Sequence, residues 1–251
     1  MKDYTKGKAG NASADLTKGA RIDFGDSQIK LPKKYKITQE HFEKKCARFD
    51  IVEPRFGFYD KARNLMFYGF KTEARLLLLA TWNSSAFRYV VNEFDIRKFE
   101  DLMHSLEPTI EKLRVKEFRK ADFKSLEKEV STIYNPLSKV EGIGYTGASK
   151  LMHLDNPRLF VPWDQFIREK FDLEKDSDSY VSFLEKMQSK FNHLKDPEDK
   201  TKSFAKAIDE YNYVTISIPK VAKIRKIEEA RKEKKRKELE EFREYKKKKN
   251  L

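Results

Sequence analysis

The sequence predicts an all-α protein. Apolar residues recur at helical spacing in most of the chain, as at Phe42, Cys46 and Phe49. Only 9 glycines and 8 prolines occur in 251 residues, too few turn residues for an all-β fold. Hydrophobic residues make up 39% of the chain, so a sizeable core can form, and 38% charged residues predict abundant solvated helix faces. The length fits one large domain or two small ones.

The first half of the chain is read as a series of helices. Thr38 is placed to cap a helix that carries Phe42. A loop through Pro54 and Gly57 follows, and the segment "RFGFYDKARNLMFYGF" allows at most short strands. Further helices are predicted over 73–91, where "TWNSS" interrupts a mostly buried pattern, and then over 94–114 and 118–134.

The second half continues the helical pattern. Helices are predicted from Tyr145 to His153, across "DSDSYVSFLEKMQSKFNHL" with a Ser or Asp as N-cap, and across "SFAKAIDEYNYV". From Val221 onward, apolar residues become rare and nearly every position is Lys, Arg or Glu. This composition predicts a long, charged, solvent-exposed C-terminal helix.

Three regions differ in charge. Residues 1–35, predicted to be a weakly ordered basic segment, carry net +4, and residues 220–251, the charged helix, carry net +8. The predicted helical domain, 36–219, is nearly neutral, although the whole chain has net charge +13. Basic ends of this kind indicate an anionic partner such as nucleic acid, or else serve only solubility.

The sequence also argues against several classes of site. Cys46 is the only cysteine, which excludes an internal disulfide and a four-cysteine iron–sulfur cluster. The four histidines show no metal-ligand spacing, and no phosphate-binding Walker loop is present. No apolar signal segment follows Met1, and the longest apolar run, 76–80, cannot span a bilayer. We therefore expect no cofactor, metal or membrane partner, and we expect a cytoplasmic monomer.

Gly142-Ile143-Gly144 predicts a tight hairpin before a helix. Glycine accepts the positive φ that such a turn needs, and Ile143 can point inward as a plug. Backbone N–H groups at the start of the following helix, together with its dipole, suit a phosphate oxygen. An ordinary connection between two helices would have the same local sequence.

The stretch "EGIGYTGASKLMHLDNPRLFVPWDQFI" resembles the helix-hairpin-helix motif of the DNA glycosylase superfamily with the endonuclease III-like fold. The resemblance implies an all-helical, two-lobed body with a cleft. It also implies a catalytic aspartate at Asp164, which lies 22 residues after Gly142. Implied contacts to double-stranded DNA come from the hairpin and the start of its helix, namely Gly142, Ile143, Gly144, Tyr145, Gly147 and Lys150.

An upstream stretch extends the resemblance to about residues 70–215. "EARLLLLATWNSSAFRYVV" resembles the family's early helix, which ends in a polar segment that enters the gap left by a flipped base. Trp82, Asn83 and Ser84 would form that segment. Candidates for stacking on the base are Trp82, Trp163, Tyr145 and Phe87, although both tryptophans also suit a core.

One position departs from the bifunctional members, which carry a lysine two residues after the second hairpin glycine. Here Thr146 occupies that position, and Lys150, one turn further on, does not match. The resemblance therefore implies a monofunctional glycosylase without strand cleavage, with Asp164 and Thr146 as its catalytic positions. A carboxylate can stabilise the sugar cation that forms as the N-glycosidic bond of a damaged or mismatched base breaks.

Alternatives stay open at each of these points. Asp164 can simply cap the helix that follows it, and His153 fits a core position. The whole protein can be a helix-hairpin-helix DNA-binding protein without catalysis. It can also be an interaction protein that uses its C-terminal helix.

Overall fold

The computed structural model describes residues 36–53 and 55–248. The predicted weakly ordered segment, 1–35, lies outside the described residues. Eleven α-helices cover most of the described part: α1 Gln39–Val52, α2 Phe56–Phe67, α3 Lys71–Trp82, α4 Ser84–Phe87, α5 Ile96–Arg114, α6 Glu127–Ser138, α7 Gly144–Asp155, α8 Gln165–Lys170, α9 Ser177–Phe191, α10 Phe204–Asn212 and α11 Ile218–Lys248. A π-helical turn, Tyr213–Ser217, joins α10 to α11.

The all-α prediction is confirmed, since no strand occurs within residues 36–53 and 55–248. The short strands allowed around "RFGFYDKARNLMFYGF" are wrong, because this segment forms α2. Tyr59 and Ala62, three residues apart on α2, are both buried, and α2 packs against α3 and α7. Tertiary packing therefore selects the helix where the local pattern was ambiguous.

Polar side chains cap five of the helices at their N-termini. In each case the side-chain oxygen accepts a hydrogen bond from the backbone N–H three residues later, which satisfies an otherwise unpaired donor. The capping residues are Thr38, Asp95, Asp164, Asp176 and Ser203. The sequence predicts Thr38 as a cap, a Ser or Asp as the cap of α9, and Asp164 as a possible cap of α8, because each stands immediately before an apolar helical pattern.

The core is rich in aromatic side chains. Trp163 is fully buried and contacts the rings of Tyr134, Tyr180 and Phe183. These residues come from the segment before α8 and from helices α6 and α9. Their packing fixes the chain just before Asp164.

A buried ion pair also joins α3 to α7. The Arg75 guanidinium lies 2.6 Å from an Asp155 oxygen, and both side chains are almost fully buried. Together with the contacts between α3 and α7, this pair holds the C-terminal end of α7 against α3. The other parts of α7 carry the predicted DNA contacts.

The C-terminal helix continues directly from the domain. The chain is helical without interruption from Phe204 to Lys248, through α10, the π turn and α11. Nearly all described side chains of α11 beyond Val221 are exposed. In the described part of the chain, no helix is long and apolar enough to cross a membrane.

Candidate functional site

A small pocket lies where α1, α3, α7, α10 and the π turn approach the segment that leads into α8. Its volume is about 50 Å³. Its walls hold charged and aromatic side chains close together: Phe49, Glu53, Arg55, Trp82, Lys150, Pro162, Trp163, Asp164, Ile167, Asp209 and Tyr213. A volume of this size holds a water molecule or two, each occupying about 30 Å³ in the liquid.

Asp164 is both a helix cap and part of the pocket wall. Its backbone is extended, with φ −117° and ψ −178°, and one carboxylate oxygen accepts a hydrogen bond from the Ile167 N–H at 2.8 Å. The side chain is partly exposed and lines the pocket. Because a carboxylate has about four acceptor positions, the cap bond leaves Asp164 able to accept others. Capping and a role in the pocket are therefore compatible.

Lys150 reaches the same pocket from α7. Its Nζ donates a hydrogen bond to the backbone carbonyl of Trp82, at the C-terminal end of α3. Burial lowers the pKa of Lys150, although the Asp164 and Asp209 carboxylates pull the pKa upward. The sequence analysis expects Lys150 only as a DNA contact and does not predict that it shares a pocket with Asp164. The available signal was its position one helical turn after Thr146 on the same face.

A fully paired ionic cluster lies behind the pocket wall. Lys206 Nζ lies 3.0 Å from an Asp209 oxygen and 3.1 Å from a Glu210 oxygen. The rings of Phe49 and Trp82 lie 4.3 and 4.6 Å from the same Nζ. Burial raises the pKa of Asp209 even though Lys206 lowers it. Asp209 thus brings a second carboxylate to the pocket, which the sequence did not indicate.

A second ionic group forms another part of the wall. The Arg55 guanidinium lies 2.6 Å from a Glu53 oxygen, and the Tyr213 hydroxyl donates to Glu53 at 2.7 Å. Burial raises the pKa of Glu53, but the bonds from Arg55 and Tyr213 outweigh burial and lower the pKa overall. The Arg55 side chain is 40% exposed, so this wall is open to solvent. Trp82 Nε1 donates to the Arg55 carbonyl at 3.2 Å.

The glycine hairpin precedes α7 as its sequence predicts. Gly142 and Gly144 have φ of +82° and +59°, and Ile143 between them is buried. A Cβ on Gly142 would lie 2.2 Å from a Val90 methyl carbon, so glycine is required there for space as well as for φ. Gly147 is also tightly packed, since a Cβ would lie 2.9 Å from both Asn83 Nδ2 and Ile143 Cγ2.

The N-terminus of α7 keeps open donors. The N–H groups of Ile143 and Gly144 donate to the Val140 carbonyl at 3.1 and 3.2 Å, so they are engaged inside the hairpin. No side chain caps α7. By helix geometry, the N–H groups of Tyr145 and Thr146 then point out of the first turn without an intrahelical partner.

The predicted base-gap segment is held by the protein itself. Asn83 is only 3% exposed, and its side-chain amide donates to the carbonyls of Gly142 and Ile143 at 2.8 and 3.0 Å. Ser84 is partly buried at the start of α4. Asn83 thus connects the end of α3 to the hairpin, and its side chain does not project from the surface. Between Ser84 and Val90, the exposed side chains are Ser85, Ala86, Arg88 and Tyr89.

The other candidate residues divide between pocket and core. Trp82 is partly buried in the pocket wall and stacks on Tyr59 at 5.2 Å. Trp163 lines the pocket from a fully buried position, and Phe87 is buried in the core. Tyr145 is partly exposed. Thr146 lies on α7 but is not among the residues that line the pocket.

The described residues contain no group of three or more His, Cys, Asp or Glu side chains that could hold a metal ion. The chain matches no protein-family model, no curated protein and no solved structure. The structure thus defines an all-α protein with a pocket that contains a carboxylate and a lysine. The helix that carries this lysine, α7, follows a glycine hairpin. Function must therefore be argued from the site itself.

Proposed function

We propose that this protein binds double-stranded DNA and removes a damaged or mismatched base by hydrolysis of its N-glycosidic bond. The observation that carries the proposal is the Asp164 carboxylate, which lines a pocket together with two tryptophans and follows a glycine hairpin by 22 residues. Asp164 and the two tryptophans share the pocket wall, and this arrangement supports a role for Asp164 in such a reaction.

Asp164 supplies the charge that the reaction needs. As the bond between sugar and base breaks, positive charge develops on the sugar. A nearby carboxylate stabilises that charge and can take a proton from the attacking water. The pocket has room for such a water. Trp82, which is partly exposed, provides an aromatic side chain in the wall against which a flipped base can pack.

The pocket has to widen before a base can enter. Its volume of about 50 Å³ suits water and not a nucleobase. The wall formed by Glu53 and Arg55 is the part that can yield, because Arg55 is 40% exposed and a DNA phosphate can compete with Glu53 for its guanidinium. In this proposal, DNA binding releases Arg55 from Glu53, and the pocket then opens for the base.

The DNA backbone has two sites of contact in this proposal. The uncapped N-terminus of α7, with the N–H groups of Tyr145 and Thr146, suits a phosphate oxygen. Residues 220–251 add net +8, which favours sequence-independent binding to the polyanion. Neither contact reads the base sequence.

A DNA-binding protein without catalysis is the second candidate. Two observations favour it: the small volume of the pocket and the use of one Asp164 oxygen as a helix cap. In this case the hairpin and the basic helix would hold DNA, while Asp164 would serve stability alone.

Incubation with a panel of duplexes, each carrying one damaged or mismatched base, distinguishes the two candidates. Alkali then cleaves the strand wherever a base has been lost. We expect cleavage of at least one duplex by the wild-type protein and at least about 10²-fold slower base release by Asp164→Asn, with DNA binding unchanged. If the wild-type protein binds every duplex and releases no base, the non-catalytic candidate replaces the glycosylase.

A further inference from the structure

A second, larger cavity shares no lining residue with the pocket of Asp164. Its volume is about 400 Å³, within the range of small-molecule sites in proteins. Its walls come from the segments between α5 and α6, between α7 and α8, and between α9 and α10, and from the first residue of α10: Glu117, Phe118, Arg119, Lys120, Arg158, Asp196, Pro197, Lys200, Lys202, Ser203 and Phe204.

Contacts within the protein hold these segments together. The Phe118 N–H donates to the Arg158 carbonyl at 2.8 Å, which joins the first segment to the second. Arg119 joins the first segment to the third, because its Nε lies 3.1 Å from an Asp196 oxygen. The same guanidinium lies 3.5 Å from the centre of the Phe204 ring, at the start of α10. The cavity therefore belongs to the folded domain.

Positive charge exceeds negative charge around this cavity. Five lysine or arginine side chains line it, against two carboxylates. Lys120 Nζ and Arg158 Nη1 lie 3.0 and 3.4 Å from oxygens of the same carboxylate, Glu117. Lys200 forms no ion pair within the described part of the chain, and its Nζ donates to the Pro197 carbonyl at 3.5 Å. Three cations on the wall thus have one carboxylate among them.

These three cations are accessible to a bound anion. The Lys120 and Arg158 side chains are 82% and 59% exposed, and Lys200 is exposed as well. Exposed ion pairs are weak in water, so Glu117 holds its two partners weakly. Phosphate carries more negative charge than a carboxylate, and arginine forms strong, charge-assisted hydrogen bonds to its oxygens. A phosphate group can therefore replace Glu117 as their partner.

We propose that this cavity binds the phosphate group of a small phosphorylated molecule, with Lys120, Arg158 and Lys200 as its partners. The cavity wall at Arg158 follows the C-terminal end of α7, whereas the glycine hairpin precedes its N-terminal end. The helix between them has 12 residues and is about 18 Å long. This separation and the concave shape favour a small molecule over the DNA proposed to contact the hairpin. The inference does not depend on base release.

The test is calorimetric titration of the full chain with inorganic pyrophosphate at constant ionic strength. We expect saturable binding by the wild-type protein and at least about tenfold weaker binding by Arg158→Gln, because a charge-assisted contact is lost. Lys226→Gln removes the same charge from an exposed position on α11. This control should bind as the wild type does, which separates the cavity from general attraction to the basic helix.

Glu117→Gln should change the affinity in the opposite direction. The substitution removes the carboxylate that competes for Lys120 and Arg158, so pyrophosphate should bind about two- to fivefold more tightly. If Glu117 and its partners serve only to hold the loop, the variant gains no affinity. Thermal unfolding of each variant shows that it is folded under the conditions of the titration.

Each other outcome counts against the proposal. It is overturned if pyrophosphate does not saturate the wild-type protein, if folded Arg158→Gln binds as tightly as the wild type, or if Glu117→Gln gains no affinity. A second titration, with a DNA duplex, distinguishes the source of the phosphate. We expect Arg158→Gln to leave duplex binding unchanged. If duplex binding weakens as much as pyrophosphate binding, the phosphate belongs to DNA, and the assignment to a small molecule is wrong.

Discussion

Lys206 and Lys150 both contact Trp82 but lie in opposite kinds of surroundings. Lys206 is enclosed by two carboxylates and by aromatic rings, including that of Trp82 at 4.6 Å. Lys150 bonds the Trp82 backbone carbonyl and opens onto the pocket. In the first site every charge has a partner, which suits a structural role. In the second, the amine and the Asp164 carboxylate remain available, which suits a role in binding or chemistry.

The two sites also differ in the direction of their pKa shifts. Burial lowers the pKa of both lysines, but for Lys206 the attraction of Asp209 and Glu210 outweighs burial, and its pKa is raised overall. For Lys150 burial prevails, and the pKa is lowered. The presence of carboxylate partners, more than the depth of burial, therefore decides whether a buried lysine remains charged.

Replacement of each lysine by methionine should reveal the largest difference in stability between the two sites. Lys206→Met leaves Asp209 and Glu210 buried with less compensation, and we expect a loss of about 3–5 kcal/mol in the free energy of unfolding. Lys150→Met removes one hydrogen bond and also relieves a buried amine, so a change below about 1.5 kcal/mol is expected. Urea denaturation of both variants measures the difference. Equal losses would mean that Lys150 is as structural as Lys206.

The hairpin glycines test how firmly α7, which carries Lys150, is seated. Gly142→Ala forces a side chain into positive φ and against Val90, with an expected cost of about 2–4 kcal/mol. Gly144→Ala has the same φ problem, but its Cβ meets open space, so about 1–2 kcal/mol is expected. Thermal unfolding should rank the variants in that order. The reverse order would contradict the described packing of the hairpin against Val90.

His153 should make the domain sensitive to acid. It is buried on α7, where its Nδ1 lies 2.6 Å from the Phe160 carbonyl and its Nε2 lies 2.7 Å from the Tyr59 hydroxyl. Because a carbonyl only accepts, Nδ1 donates and Nε2 accepts from Tyr59. Burial lowers the pKa of His153 to about 3. The unfolded chain therefore binds a proton near pH 6.5 that the folded protein rejects.

Stability from His153 is consequently complete above pH 6.5 and is lost as the pH falls toward 3. Between pH 7 and pH 5 the loss should be about 2 kcal/mol. At pH 7, His153→Asn should have a lower free energy of unfolding than the wild type. Between pH 7 and pH 5, however, its free energy of unfolding should fall by about 2 kcal/mol less than that of the wild type. Exposed His104→Asn is the control. If urea denaturation shows the same pH dependence in wild type and His153→Asn, the buried neutral imidazole is refuted.

The smallest expected effect concerns the charged helix, which lies outside both lysine sites. Deletion of residues 220–251 removes net +8, and nearly all side chains described between 220 and 246 are exposed, so the domain should remain folded. Duplex binding should weaken, and the slope of log K against log salt should flatten by about 0.9 for each DNA phosphate that the helix neutralises in the full-length protein. Base release per bound complex should not change. Identical slopes for the two proteins would exclude the helix from DNA binding.

The sequence predicts local features, such as helices and caps, better than it predicts which distant residues line the same pocket. The helices, the hairpin with buried Ile143, and the cap position of Asp164 follow from short patterns, because glycine and capping residues act within a few positions. The pocket does not follow from such patterns. Arg55, Asp209 and Lys150 are far apart in sequence, and only tertiary packing brings them to one wall.

Two predictions also depended on whether particular side chains are exposed or buried, which short sequence patterns do not reveal. Asn83 is polar and stands in an interrupted helix, which suggests a surface position, yet its amide bonds the hairpin carbonyls in the interior. The segment of α2 is rich in aromatic residues, which allowed a strand, but burial of Tyr59 and Ala62 requires a helix. In both cases the deciding contact comes from a distant part of the chain.

Asp164 and Asp176 cap their helices in the same way but differ in their access to the pocket. Both are N-caps, and each accepts a hydrogen bond at 2.8 Å from the backbone N–H three residues later. Only Asp164 lines the pocket. Because Asn caps a helix about as well as Asp, Asp164→Asn and Asp176→Asn should each cost little stability, below about 1 kcal/mol. We predict that Asp164→Asn alone lowers the rate of base release, by about 10²- to 10³-fold, on the duplex that the wild-type protein processes. Equal rates for the two variants would contradict the account and leave Asp164 as a helix cap.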